Sequence, residues 1–202
     1  MDRADLYFEQ IALNQYLSEE ECKRCGADSC KELVDELNSG VINVLDLSSI
    51  PKEKTKAMEF ALNGRDRLPE VPILTLPRRA NTELVELNNP QNGDPVIVTG
   101  NNQYTQEVIL TVLSVLSAPL FVLFSETHGD TLDMAVIFES FNARSIGEFF
   151  EQSGLNVRAS SSPVIIPGKA VEVQQSIQKR LRLNVELGPV CAAELPLYLN
   201  AR

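Results

Sequence analysis

The stretch "ECKRCGADSC" (21–30) sets Cys22, Cys25 and Cys30 at a C-x2-C-x4-C spacing, with Gly26 directly after the second. Thiolates this close can share one soft metal ion or an iron–sulfur cluster. A [4Fe–4S] cubane takes one anionic ligand per iron, so three cysteines leave one iron without a thiolate from this turn. Zinc would need one further ligand to complete its tetrahedron. The third alternative is a turn of reduced thiols with no metal. Cys191, near the other end of the chain, reads as a small buried residue. Cysteines distributed in this way make a poor disulfide framework, and a cytoplasmic compartment is the expectation. His128, the single histidine, falls in the loop "SETHGD" and reads as a solvated residue in preference to a metal ligand.

The elements that must hold the cysteine turn are helical. "ADLYFEQIALNQYL" spaces Leu6, Ile11, Leu13 and Leu17 at roughly helical intervals, and "CKELVDELNSG" puts Leu33, Val34 and Leu37 on one face with Gly40 as its stop. Together they predict a small helical, cysteine-containing domain over 1–48. Residues 49–93 read as a helix and a connector. In "SSIPKEKTKAMEFALNG", Ser49 is the expected N-cap, Pro51 lies in the first turn and Gly64 ends the helix. Residues 64–95 then hold five of the eleven prolines around "VPILTL", which predicts an extended connector with at most one strand.

From residue 94 to 202 strands and helices alternate. "PVIVT" (95–99), "PLFVLFS" (119–125), "SPVIIPG" (162–168) and "NVELGP" (184–189) are apolar strands. Between and after them "QEVILTVLSVL" (106–116), "LDMAVIFESF", "SIGEFFEQSG", "VEVQQSIQKRL" and "CAAELPLYL" are helical. Continuous apolar strands alternating with helices predict an α/β fold, a Rossmann-like parallel sheet with helices on both faces. In such sheets ligands bind at the carboxyl ends of the strands, which selects the loops "TGNNQ", "SETHGD", "IPGK" and "GPVCAAE". The 202 residues are 44% hydrophobic and carry a formal net charge of −10. That field disfavours nucleic acid and anionic membrane surfaces as main partners. The apolar run 108–124 is cut by Ser114, Ser117 and Pro119, so it reads as a helix followed by a strand. "MDRADLYFEQ" has no apolar core of a signal peptide.

"DPVIVTGN", "VIIPG" and "VELGPVCAAELPLYL", in this order and spacing, resemble the corrinoid-binding domain of the large subunit of the corrinoid iron–sulfur protein of the acetyl-CoA pathway. Cys22, Cys25, Gly26, Cys30 and Gly40 resemble the small iron–sulfur domain with which that subunit begins. The family's fourth cysteine would fall near residue 47, where this chain has Leu47; Asp46 beside it could supply an oxygen ligand. The barrel domain that separates the two regions in the family has only the Pro-rich connector in its place. The helix after the second strand, "MAVIFESFNA", is bulkier than the family's and bears Glu139.

The resemblance implies a corrinoid (cobalamin) over the carboxyl edge of the sheet, packed by small residues and amide donors. By this likeness the cofactor-binding residues would be Thr99, Gly100, Asn101, Asn102, Thr127, Gly129, Asp130, Thr131, Pro167, Gly168, Gly188, Pro189, Ala192 and Ala193. Cys22, Cys25, Cys30 and Asp46 would hold a [4Fe–4S] cluster that reactivates the cobalt reductively. The implied role is a methyl carrier or accessory protein of anaerobic one-carbon metabolism, without turnover of its own. Its implied partners are a methyltransferase or the small subunit of the corrinoid protein. The alternative is a cofactor-free scaffold or interaction module descended from that family.

Overall fold

The computed structural model describes residue 4 and residues 6–73 and 76–201. They sort into a helical unit (6–68, 111–116 and 191–201) and a sheet unit (Ala4, 69–110 and 117–190).

The helical unit is nucleated by capped short helices. α1 (Glu19–Arg24) starts at a capping box: Ser18 Oγ accepts from the Glu21 amide at 3.2 Å, and the Glu21 carboxylate accepts from the Ser18 amide at 2.8 Å. α2 (Cys30–Asn38) is capped by Ser29, whose hydroxyl accepts from the Glu32 amide. It stops where Gly40 takes φ +71°, a left-handed turn that glycine makes at little cost. α3 (Lys52–Asn63) begins after Pro51 and ends at Gly64. Ser49 does not cap it; its hydroxyl donates to the Arg24 carbonyl instead. The helix expected over "ADLYFEQIALNQYL" is two short 3-10 turns, Phe8–Gln10 and Leu13–Tyr16, because its apolar residues do not keep to one helical face. Leu33, Leu37, Val44, Leu47, Ile50, Ala57, Met58 and Ala61 form the core, and Cys22 is buried in it.

The sheet unit contains β1 (Glu83–Leu87), β2 (Val96–Gly100), α4 (Gln103–Leu113) as far as Leu110, β3 (Leu120–Ser125), α5 (Leu132–Ile137), α6 (Ala143–Gln152), α7 (Leu155–Arg158), β4 (Val164–Ile166), α8 (Gln174–Leu181) and β5 (Val185–Leu187). The strand order is β1-β3-β2-β4-β5. β2, β3, β4 and β5 are parallel, with Val96 beside both Phe121 and Val164, so their carboxyl ends form one rim. Val96, Val98, Phe121, Leu123, Val164, Ile166 and Val185 pack with Ile146, Phe150, Leu155 and Ile177 on one face. Ile97, Val122, Phe124 and Ile165, which alternation turns the other way, are buried as well. This is the α/β, Rossmann-like sheet that the alternating pattern predicts. α5 stops at Ile137, short of the expected "LDMAVIFESF", where Glu139 takes φ +56°.

The connector departs from expectation. Its strand is β1, antiparallel to β3 with Glu83 beside Phe124 and Leu87 beside Leu120. "VPILTL" forms no named strand, and its Leu74 and Thr75 lie outside the described residues. The last helix, α9 (Leu195–Asn200), belongs to the helical unit, where Leu197 joins the core. Among the described residues no helix is long and apolar enough to cross a membrane.

Candidate functional site

At the carboxyl ends of β2 and β3 a polar net joins three segments. Gly100 ends β2 under Thr127: a Cβ on Gly100 would lie 2.9 Å from the threonine Oγ1. Asn101 Oδ1 accepts from the Thr127 amide at 2.8 Å and its hydroxyl at 3.0 Å. Asn102 Oδ1 caps α4 by accepting from the amides of Tyr104 and Thr105, while its Nδ2 donates to the Gly129 carbonyl at 2.7 Å. Thr127 to Asp130 is a tight turn closed by the Asp130 amide, with His128 at φ +59° and Gly129 at φ +80°. Thr131 then precedes α5. Thr99, Asn101, Asn102 and Thr127 are all buried, and among the described residues no buried side-chain polar atom lacks a partner.

The third segment is a strap, residues 76–80, lying across the loops after β2 and β3. The Arg78 amide donates to Gly129 O and the Ala80 amide to Asn101 O, each at 2.8 Å. In return the Gln103 amide donates to Arg78 O at 2.9 Å and Asn101 Nδ2 to Ala80 O at 3.0 Å. Gly129 packs so closely that a Cβ there would lie 2.7 Å from the Arg78 carbonyl carbon. Arg79 pairs with Glu126, and the His128 amide donates to the other oxygen of the same carboxylate at 2.6 Å. Burial alone would raise the Glu126 pKa, but the Arg79 guanidinium and the donors from His128 and Asn101 outweigh it and hold the carboxyl below its ordinary value. The His128 ring is exposed, as the loop predicts.

On the other half of the rim the turns after β4 and β5 interlock. The Gly188 amide donates to Ile166 O at 2.8 Å and the Gly168 amide to Pro189 O at 3.2 Å. A Cβ on Gly168 would lie 2.8 Å from Gly188 O and 3.1 Å from Val190 Cγ2, so Pro167–Gly168 and Gly188–Pro189 approach by backbone alone. Beside them α5 packs on the turn Gly168–Val173. It leaves Met134, Ile137 and Phe138 39%, 68% and 62% exposed, with Val171 at 55%. Ala192 and Ala193 fall in the helical unit, apart from the set that this rim assembles.

The cysteine turn differs from expectation. Cys22 and Cys30 form a disulfide, and Cys25 is a free, half-buried thiol whose pKa is raised by burial and then by Glu21. Leu47 is buried in the helical core, whereas Asp46 is exposed in the turn Val44–Asp46. Among the described residues no three His, Cys, Asp or Glu side chains converge as a metal site. Two thiols bonded to each other and an aspartate turned to solvent do not fit a four-ligand cluster. Cys191 is buried, as its sequence context predicts, with its thiol pushed up to about 11, first by burial.

The sequence profile of the CO dehydrogenase/acetyl-CoA synthase delta subunit matches residues 27–199. The chain belongs to this family. The family match takes in the whole rim and β1, and begins after Cys22 and Cys25. Among curated relatives, the acetyl-CoA decarbonylase/synthase complex subunit gamma of Methanopyrus kandleri is 24% identical over 124 residues, 61% of this chain and 27% of the relative. Subunit gamma 2 of Methanosarcina mazei is 27% identical over 142 residues, 66% of this chain and 30% of the relative. Subunit gamma of Methanothermobacter thermautotrophicus is 23% identical over 149 residues, 69% and 32%. The matches span under a third of these relatives' length.

Two features of the rim escape sequence reasoning. Arg79 and Glu126 lie 47 positions apart, and nothing local marks them as a pair. The exposed face of α5 had one signal: Met134, Ile137 and Phe138 add apolar residues to a helix that buries only Ala135.

Proposed function

We propose that this chain is a corrinoid-carrying or accessory module of anaerobic one-carbon metabolism, working with partner subunits of an acetyl-CoA decarbonylase/synthase system. Its place would be the cytoplasm, and its role that of a carrier without turnover of its own. The observation that carries the reading is the apolar face at the rim, where Met134, Ile137, Phe138 and Val171 stand exposed beside the Pro167–Gly168 turn. Exposed apolar groups clustered at the ligand-binding edge of an α/β sheet favour a broad, partly apolar ligand. A corrin has two such faces and a periphery of amides. Bound there, it would supply a reducible cobalt able to accept a methyl group and hand it on. Met134, Ile137, Phe138 and Val171 would hold it by desolvating a face, and the backbone of 167–168 would approach most closely. Exposed His128 is assigned no ligand role, and the disulfide form of the cysteine turn is assigned none in electron transfer.

A cofactor-free scaffold is the second reading. It is favoured by the saturation of Asn101, Asn102 and Thr127, whose polar groups are spent within the protein and on the strap. Anaerobic titration with hydroxocobalamin, reduced in place to Co(II), separates the two. A saturable base-off Co(II) spectrum at one equivalent supports the carrier. An unchanged spectrum, with nothing retained after desalting, supports the scaffold.

A further inference from the structure

We propose that the strap 76–80 is a displaceable latch over the β2–β3 half of the rim, held by the Arg79–Glu126 pair and competing with the ligand for the groups beneath it. This rests on the reading of the rim as a corrinoid site. The strap is attached through backbone bonds of Arg78 and Ala80, the Asn101 amide, the Arg79–Glu126 pair, and the Arg78 guanidinium laid over the Tyr104 ring, 5.0 Å from its centroid. Leu76, Pro77, Arg78 and Arg79 are all exposed, and Leu76 is 82% so. Lifting the strap therefore removes no large apolar side chain of these four from a core, and the hydrophobic effect does not hold it down.

What the strap covers is chemically specific. Its peptide groups engage the Gly129 carbonyl, the Asn101 carbonyl and Nδ2, and the Gln103 amide. Once uncovered, these form a short row of donors and acceptors suited to amides. A corrin periphery carries primary amides, so the strap and the ligand satisfy the same groups with the same chemistry. Gly129 lets the strap backbone sit against the turn without a side chain between them, and the same close approach is open to a ligand. The Arg79–Glu126 pair sits at the side of this row and adds an ion pair to the Arg78–Tyr104 cation–π contact. Binding is then reduced by the fraction of molecules whose strap is closed, and weakening the latch restores it.

The test compares the wild type with Arg79→Ala, a change at an exposed residue that the fold should tolerate. Co(II) cobalamin affinity is read from visible spectra, and hydrogen exchange at the strap's own amides, Arg78 and Ala80, is followed with and without the ligand. The expected result is binding about threefold tighter in the variant, in keeping with one exposed ion pair, together with loss of amide protection in the wild type when ligand binds. Binding by the variant alone also supports the latch. If the wild type binds and the variant binds no tighter, or the Arg78 and Ala80 amides stay protected in the complex, the latch is overturned and the corrinoid reading stands. If neither protein binds, both fall together.

Discussion

At the scale of single residues, the rim depends on backbone groups that tolerate no added atom. Gly168→Ala would drive a methyl into the Gly188 carbonyl, 2.8 Å away, and into Pro189. Backbone cannot swing aside as a side-chain tip can, so the variant should lose ~1–3 kcal/mol in urea unfolding. Thr127→Val keeps the shape and the backbone bond to Asn101 Oδ1 but removes the hydroxyl donor, at a cost of ~0.5–1.5 kcal/mol by the same measurement. Glu126 gives a pH signature. A carboxyl held low in the fold contributes stability that is whole above its unfolded value, near about 4.3, and that fades as pH falls through the lower folded value. Strap amide protection, corrected for intrinsic exchange, should hold from neutrality to about pH 5 and decline below about pH 4. Glu126→Gln should remove that step; a step unchanged in Glu126→Gln would assign it to another group. From sequence, Asn101, Asn102, Gly129 and Gly168 were legible as residues of the loops at the carboxyl ends of the strands. Their partners were not, because a loop amide bonds equally well to a ligand or to a distant segment of its own chain.

At the scale of elements, legibility followed burial. β2, β3 and β4 are buried throughout and β5 at Val185, so their apolar runs stand out against the helices between them. β1 is an edge strand, "ELVEL", with Glu83 and Glu86 exposed, and two glutamates in five residues hide it in a proline-rich connector. Its strand character comes from β3, to which it pairs along its whole length. The first expected helix failed for the opposite reason: apolar residues were present, but no stripe was. α1, which falls where the sequence was read as the cysteine turn, is set by its capping box. Ser18→Ala should cost ~1 kcal/mol in urea unfolding through loss of the box. The Glu21 carboxylate also accepts two bonds from Lys54 at 2.8 Å, tying α1 to α3. Amide exchange should therefore rise in α1 first and at the start of α3 in a Glu21→Ala variant.

At the scale of the whole molecule, the cysteines act on stability before chemistry. Cys22 and Cys30 close a loop of sequence separation 8, worth ~2.5 kcal/mol by the chain-entropy argument, in a unit with a small core. Without reductant, iodoacetamide on the folded protein should label Cys25 and spare Cys191, which is buried. After reduction Cys22 and Cys30 should become labelled too, and the amides of α1 and α2 should exchange faster. Labelling of all three before reduction would show that the bond does not form in solution. The wider consequence of the fold lies in where β1 begins. Glu83 stands beside Phe124, next to the last residue of β3, so the connector enters the sheet from the rim of carboxyl ends and not from the opposite end. Residues added just before Glu83 would emerge on the rim without cutting a strand or changing a register. Evolution could lengthen or shorten the tether there freely, hanging a whole extra module over the mouth of the site or taking it away, while the sheet beneath kept its shape.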